Sequence, residues 1–175
     1  MSGRGFTIVE VLVVMSIILV LAGLVLATSS YVHNKGARSR AEAEIAAMSA
    51  ALESYKADNG VYPNDSNTDS LDARSGSPDP TNYQAASKAL YQKLIGDING
   101  DGQSDSGVTS YMSFKSNQVG GNGSTTFIKD SFGNSYGYST ASQKDATKGY
   151  NPTFDLWSTA GSASATGKSG WIKNW

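Results

Sequence analysis

The sequence predicts an α+β protein in which a long N-terminal helix, transmembrane and then amphipathic, packs against a small antiparallel β-sheet. Three observations predict this fold class. Residues 11–27 carry no charge, residues 6–61 contain no proline, and the chain beyond residue 96 consists of short alternating runs between glycine-rich turns. The 175 residues leave room for one such domain and an accessory segment.

Residues 11–27 predict a membrane span. Together with Phe6–Glu10 they form a largely apolar stretch that, at about 1.5 Å per residue, is long enough to cross a hydrocarbon core of about 30 Å. Arg4 precedes the run, which favours a cytoplasmic N-terminus. A secretory signal peptide is a poorer match, because the run is too long and residues 26–32 make a poor cleavage site.

Glu10 is unusual because it lies within the apolar stretch. A carboxylate in a span costs a few kcal/mol on insertion scales, and such residues usually have a functional partner. An ordinary signal anchor explains the hydropathy but leaves Glu10 unexplained.

The residues around Glu10 carry a family resemblance. Gly3-Arg4-Gly5-Phe6-Thr7-Ile8-Val9-Glu10 resembles the leader and cleavage motif of the prepilins of type IV pili and type II secretion systems. The resemblance implies cleavage by a prepilin peptidase after Gly5, N-methylation of Phe6, and pairing of Glu10 with the Phe6 amine of a neighbouring subunit during assembly. Two buried opposite charges are tolerated when each satisfies the other, so this pair would set the subunit register.

The helix is predicted to continue to Asn59-Gly60, a pair suited to a left-handed cap. It would then have about fifty residues and a length of about 75 Å. Its second half is amphipathic, since five apolar residues recur at helical spacing on one face: Ala41, Ile45, Met48, Leu52 and Tyr55.

Residues 51–63 resemble the major pseudopilin of type II secretion systems, in which this segment joins the helix to a globular head. Residues 130–136 and 154–158 resemble the same head. Tyr55 and Tyr62 are predicted to pack around the turn. The expected organisation is therefore a leader at residues 1–5, a transmembrane and filament-core helix at 6–30, and a pilin-like head at 31–175 that includes the amphipathic half of the helix.

The head is predicted to contain a loop at residues 64–82 and a short helix opened by a Thr81-x-x-Gln84 capping box. The buried side of that helix would carry Ala86, Ala89, Leu90 and Leu94. Strands are expected at residues 109–114, 125–128, 136–139 and 154–157, with hairpins at the glycine-rich turns. Three tryptophans are assigned to the head core and to subunit contacts: Trp157, Trp171 and Trp175.

Residues 97–105 have the oxygen spacing of a calcium loop. Side-chain oxygens come from Asp97, Asn99, Asp101 and Asp105, a backbone carbonyl comes from Gln103, and Gly102 permits the sharp turn. Position twelve of the loop is Val108 instead of the usual bidentate Glu. Calcium is the favoured interpretation, because the three acidic groups would otherwise repel one another. The alternative is a polar loop of Asx turns without a metal.

The family resemblance implies calcium at another place, in the loop after the strand at residues 154–157. Here that loop reads Ser158 to Lys168 and contains no carboxylate. A site of hydroxyls and carbonyls alone would hold calcium poorly, so the loop at Asp97 is the expected substitute.

The composition narrows the classes of function. Net charge is −1, and clustered cations are confined to Lys35, Arg38 and Arg40, so no nucleic-acid partner is expected. With no cysteine and a single histidine, the chain offers no disulfide and no plausible catalytic constellation, and it is expected not to be an enzyme.

The resemblance implies a structural subunit that polymerises into a type II secretion pseudopilus and so supports protein export across the outer membrane. Its implied partners are copies of itself, minor pseudopilins, an inner-membrane assembly platform and the prepilin peptidase. It would lie in the inner membrane with its head in the periplasm until it enters a periplasmic or extracellular filament. The alternatives are a type IV pilin of a surface fibre serving adhesion, motility or DNA uptake, or an anchored sugar-binding module or enzyme. Many such pilins close their C-terminal region with a disulfide, so the lack of cysteine favours the pseudopilus.

Overall fold

The computed structural model describes residues 5–75, 77, 79–162 and 165–175. The chain divides into two compact units, one ending at Gly36 and the other spanning Ala37–Trp175. Four α-helices are described: α1 (Ile8–Asn59), α2 (Ser66–Ser70), α3 (Gln84–Ile95) and α4 (Ala141–Lys144). Five strands are described: β1 (Val119–Gly120), β2 (Phe127–Ile128), β3 (Gly137–Ser139), β4 (Asp155–Ser158) and β5 (Ile172–Lys173). Residues 1–4 of the predicted leader lie outside the described residues.

Helix α1 confirms the predicted continuous helix, with 52 residues. On its second half Ala41, Ile45, Met48 and Leu52 are buried, as their spacing predicted, and Tyr55 is half-buried. The helix ends where Gly60 adopts φ +78° and donates its N–H to the Lys56 carbonyl at 2.7 Å. Glycine reaches this left-handed conformation without a steric penalty, which is why the helix stops there.

The strands form two small antiparallel sheets, which confirms the predicted α+β class. Strand β1 pairs with β2, and β4 lies between β3 and β5. Side chains of β3 and β4 share one core with α3 and with the buried face of α1. The core residues from the α3 and sheet side include Leu90, Leu94, Tyr136, Tyr138, Phe154 and Leu156.

A second, aromatic cluster confirms that the tryptophans belong to the head core. Trp157 and Trp171 are buried and lie parallel with ring centroids 6.1 Å apart, and Tyr83 meets Trp157 edge-on at 5.2 Å. Gly137 faces Trp157 across the β3–β4 pair, and a Cβ on Gly137 would lie 2.1 Å from the indole ring. The ring therefore occupies the space that any side chain at position 137 would need.

The N-terminal cap predicted for α3, at Thr81, was wrong. The capping residue is Asp79, whose carboxylate accepts the Thr81 N–H at 2.9 Å and opens a short 3₁₀ turn at Pro80–Tyr83. Helix α3 follows that turn directly, and its first residue Gln84 makes no capping box with Thr81. Asp79 and Pro80 together favour this earlier start, because proline suits the first position of a helical turn.

The loop predicted at residues 64–82 contains helix α2, which the sequence interpretation did not include. Asp65 caps α2 by accepting the N–H groups of Asn67 and Thr68 at 2.9 Å, and the Thr68 hydroxyl accepts the Asp65 N–H in return. The signal in the sequence is an Asp three residues before a Thr, a weaker form of the capping box.

The strand predicted at residues 109–114 was also wrong, since no strand is assigned to these described residues. The N–H groups of Tyr111 and Met112 both donate to the Leu94 carbonyl, at 2.8 and 3.1 Å. This segment therefore satisfies the C-terminal end of α3 instead of pairing in a sheet.

Candidate functional site

The predicted cleavage position lies in exposed chain just before α1. Phe6 is 85% exposed, and a Cβ built on Gly5 would meet nothing within 4 Å. The fold of this chain therefore does not require a glycine at position 5. A requirement for glycine there would belong to a peptidase that brings extended backbone close to its own.

Glu10 caps the N-terminus of α1. The Thr7 N–H and the Thr7 hydroxyl both donate to Glu10 Oε2 at 2.8 Å, and the Glu10 N–H donates to Thr7 Oγ1 at 3.3 Å. These reciprocal bonds make a capping box with Thr7 as the N-cap residue. The Thr-x-x-Glu signal is visible in the sequence, but Glu10 was interpreted only as a partner for a neighbouring subunit.

The first half of α1 is apolar and exposed. Within the described residues, α1 is the one helix long and apolar enough to cross a membrane, and none of its most apolar 18-residue window is buried in the chain. A helix that is apolar on every side needs lipid or other helices around it.

The loop at residues 97–108, called here the Asp97 loop, is closed by its own hydrogen bonds. Asp97 Oδ1 accepts the Gly100 N–H at 2.6 Å, and Asp97 Oδ2 accepts the Gly102 N–H at 2.9 Å. Asn99 and Asp101 each accept the N–H two residues further on, at 2.8 Å. These last two contacts are the Asx turns of the interpretation without a metal.

Asp105 turns back to the start of the Asp97 loop. Its Oδ2 accepts the N–H groups of Ile98 and Asn99 at 2.7 and 3.1 Å, and its Oδ1 accepts the Asn99 amide at 2.8 Å. Gln103, the source of the fifth predicted ligand, is exposed. Within the described residues, no three His, Cys, Asp or Glu side chains converge as a metal site. A carboxylate has about four acceptor positions, so calcium would require Asp97, Asp101 and Asp105 to share their oxygens between the ion and these N–H groups.

The loop from Ser158 to Lys168 meets a carboxylate from elsewhere in the chain. Asp130 accepts the Ser158 hydroxyl through Oδ2 and the N–H groups of Phe132 and Asn134 through Oδ1, both at 2.9 Å. Asp130 is 2% exposed, and this burial raises the pKa of its carboxyl group. Its role was not predicted, because the partners come from the turn at residues 132–134 and from the end of β4, which are distant in sequence. Residues 163 and 164 of the loop after β4 lie outside the described residues.

Comparisons with known proteins confirm the predicted resemblance. Residues 1–26 match the family described as the prokaryotic N-terminal methylation motif. Type II secretion system core protein G of Vibrio cholerae is 37% identical over 81 residues, covering 46% of this chain and 56% of that protein. The protein of the same name from Pectobacterium carotovorum is 38% identical over 86 residues, covering 47% of this chain and 54% of that protein. The protein of the same name from Escherichia coli K12 is 43% identical over 60 residues, covering 34% of this chain and 41% of that protein.

The chain thus spans about half the length of the curated relatives that it matches. No solved structure matches it.

Proposed function

We propose that this chain is the repeating subunit of a type II secretion pseudopilus, a filament that supports protein export across the outer membrane. The observation that carries the proposal is its identity of 37–43% to type II secretion core proteins G. The methylation motif at residues 1–26 and the exposed apolar half of α1 support a membrane-anchored, single-pass subunit.

The partners follow from the same proposal. Copies of the chain surround the apolar half of α1 in the filament, as lipid does before assembly. A prepilin peptidase processes the N-terminus, and minor pseudopilins and an inner-membrane platform support assembly. The head lies in the periplasm, and the chain itself carries out no catalysis.

Deleting the chain from its host should abolish the export of secreted proteins across the outer membrane. The measurement is the protein content of the culture medium, with re-expression of the chain as the control. Unchanged export together with lost adhesion, motility or DNA uptake would contradict the pseudopilus and indicate a surface pilin.

We expect the mature protein to begin at N-methylated Phe6. Intact mass of the membrane-extracted chain measures this directly. Gly5→Ala should slow cleavage and Gly5→Val should abolish it, because a branched side chain blocks close approach of the peptidase backbone. Gly36→Ala is the matched control, since a Cβ there also meets nothing within 4 Å. A chain that retains Met1, or one cut near Ala27, would contradict the prepilin assignment.

We also propose that the Asp97 loop binds one calcium ion through Asp97, Asn99, Asp101, Asp105 and the Gln103 carbonyl. The spacing of these oxygens supports the proposal, together with Gly102, which adopts φ +85° at the position of the sharp turn. A ligand that binds only the folded state stabilises it by about 2.7 kcal/mol at a hundredfold excess over Kd.

The melting temperature of the head, residues 31–175, should therefore be higher in millimolar calcium than in chelator. Extracellular calcium modules have Kd values of roughly 10⁻⁴ to 10⁻³ M, so millimolar calcium is enough to occupy a site of this kind. The rise should vanish in Asp101→Ala and persist in Asp145→Ala, which lies outside the loop. No rise in the unmodified head would mean that the Asx turns alone account for the loop. A rise that survives Asp101→Ala would place the ion elsewhere, such as the loop after β4.

A further inference from the structure

The chain contains three Asn-Gly pairs: Asn59-Gly60, Asn99-Gly100 and Asn122-Gly123. An asparagine that precedes a glycine can lose its side-chain amide, because the glycine has no side chain to keep its backbone nitrogen away from the amide carbon. All three asparagines are exposed. Exposure therefore does not distinguish the pairs, and a difference in reactivity must come from the hydrogen bonds that hold each of them.

The reaction is deamidation, and it needs a free backbone N–H and a free side-chain amide at the same pair. The glycine nitrogen gives its proton to solvent base and forms a C–N bond to the asparagine Cγ, and the amide nitrogen leaves as ammonia. Water then opens the resulting succinimide ring at either of its carbonyls. Opening at the side-chain carbonyl gives aspartate, whereas opening at the backbone carbonyl gives isoaspartate, whose main chain is longer by a methylene.

The Asn99-Gly100 pair is held at both reacting groups. The Gly100 N–H donates to Asp97 Oδ1 at 2.6 Å, and the negative charge of Asp97 opposes the loss of that proton. The Asn99 amide nitrogen donates to Asp105 Oδ1 at 2.8 Å, and its amide oxygen accepts the Asp101 N–H at 2.8 Å. The bonds that close the Asp97 loop therefore also protect this pair.

The Asn59-Gly60 pair is held by the end of α1. The Gly60 N–H donates to the Lys56 carbonyl at 2.7 Å. The Asn59 amide nitrogen donates to the Tyr55 carbonyl at 2.8 Å and to the Tyr111 hydroxyl at 3.0 Å. Reaction at this pair would therefore require the last turn of the helix to open and its contact with Tyr111 to break.

The Asn122-Gly123 pair lacks this protection. Among the described residues, nothing accepts the Gly123 N–H or the protons of the Asn122 amide nitrogen. The Asn122 amide oxygen lies 3.5 Å from the Thr125 hydroxyl, at the limit of a hydrogen bond. Attack requires rotation about the Asn122 Cα–C bond from its ψ of 151°. That rotation opens the short turn at Gly123–Thr125 locally, but it breaks no hydrogen bond of the two reacting nitrogens.

We propose that Asn122 is the site at which this chain deamidates, with water as the co-reactant, and that Asn59 and Asn99 are protected by their hydrogen bonds. The turn at Asn122 lies against the Asp97 loop, because a Cβ built on Gly102 would lie 2.4 Å from the Gly123 carbonyl oxygen. Conversion adds a negative charge beside that loop, and isoaspartate also lengthens the main chain just before Gly123. The inference does not depend on the proposed filament.

Mass spectrometry of the ageing chain tests the site. The full chain, extracted in detergent, is incubated at mildly alkaline pH, digested at low pH and analysed peptide by peptide, with isoaspartate detected by an isoaspartyl methyltransferase. The Asn122 peptide should convert severalfold faster than the peptides of Asn59 and Asn99. The matched control is the same chain unfolded in guanidinium, in which the three pairs should convert at similar rates because glycine follows each asparagine.

Asp97→Ala tests the protection of Asn99. It frees the Gly100 N–H and should speed conversion of Asn99 severalfold, while a slow rate at Asn59 shows that the end of α1 remains folded. An unchanged rate at Asn99 would overturn its protection by Asp97. In the unmodified folded chain, equal rates at the three pairs, or a slower rate at Asn122 than at either other pair, would overturn the proposal. An equally large lead for Asn122 in guanidinium would assign it to the neighbouring sequence and would also overturn the protection.

Discussion

Glu10→Gln is expected to abolish filament formation while membrane insertion continues. Glutamine still accepts the Thr7 N–H, so the capping box and the start of α1 survive. What is lost is the negative charge that would neutralise the Phe6 amine of a neighbouring subunit. Removing one partner of a buried charge pair costs about 3–5 kcal/mol, which is enough to suppress assembly.

Three further variants separate the charge of Glu10 from its capping role. Glu10→Ala removes both, Thr7→Val removes the capping hydroxyl and keeps the charge, and Thr7→Ser keeps both. Insertion is measured by membrane fractionation, where each Glu10 variant should match the unmodified chain because its span is more apolar. Filament yield is measured by shearing. Normal yield from Glu10→Ala would show that Glu10 has no role in assembly, and a Thr7→Val yield as low as that of Glu10→Gln would assign its role to the cap.

Trp157→Ala should lower the free energy of unfolding of the head by about 3–5 kcal/mol, the usual cost of emptying a buried aromatic position. Trp157 is fully buried between Tyr83 and Trp171, with Gly137 beneath its ring. Domains of ordinary stability have a free energy of unfolding of about 5–15 kcal/mol. The variant should therefore be unfolded in part at the temperatures at which the unmodified head is intact.

Urea denaturation of residues 31–175, followed by circular dichroism, measures this loss. Trp175→Ala is the matched control, because Trp175 is half-buried and stacks on the exposed Tyr150. Its loss should be clearly smaller. Equal losses of unfolding free energy would mean that Trp157 contributes no more to the stability of the head than Trp175 does.

The elements that were predicted well are those whose signal repeats many times along the chain. Helix α1 carries an apolar run, a helical spacing from Ala41 to Leu52 and a glycine stop, and each points to the same structure. Strands of two to four residues carry no such repetition. Strand β5 has two residues, flanked by Trp171 and Asn174, and only its pairing with β4 makes it a strand.

The residues of the candidate site also differ in how far the sequence alone predicts their roles. Glu10 stands out because its carboxylate differs from the apolar run around it, and Gly5 and Phe6 stand out because they belong to the leader motif just before that run. The capping bonds of Glu10 are local and could have been predicted from Thr7, whereas the partners of Asp130 come from positions 132, 134 and 158. In the Asp97 loop the residue types predict ligands, but whether a carboxylate faces an ion or its own N–H groups depends on backbone angles that residue types do not fix.

Gly137 and Trp157 have an evolutionary consequence. The indole ring lies 2.1 Å from where a Cβ would begin, so position 137 cannot acquire a side chain while Trp157 keeps its ring in this place. A lineage that acquires alanine at position 137 must first, or at once, reduce the ring at position 157, because acquiring the alanine first passes through an intermediate in which the new Cβ clashes with the indole ring. Among homologues aligned at these two positions, a side chain at 137 should therefore coincide with a small residue at 157.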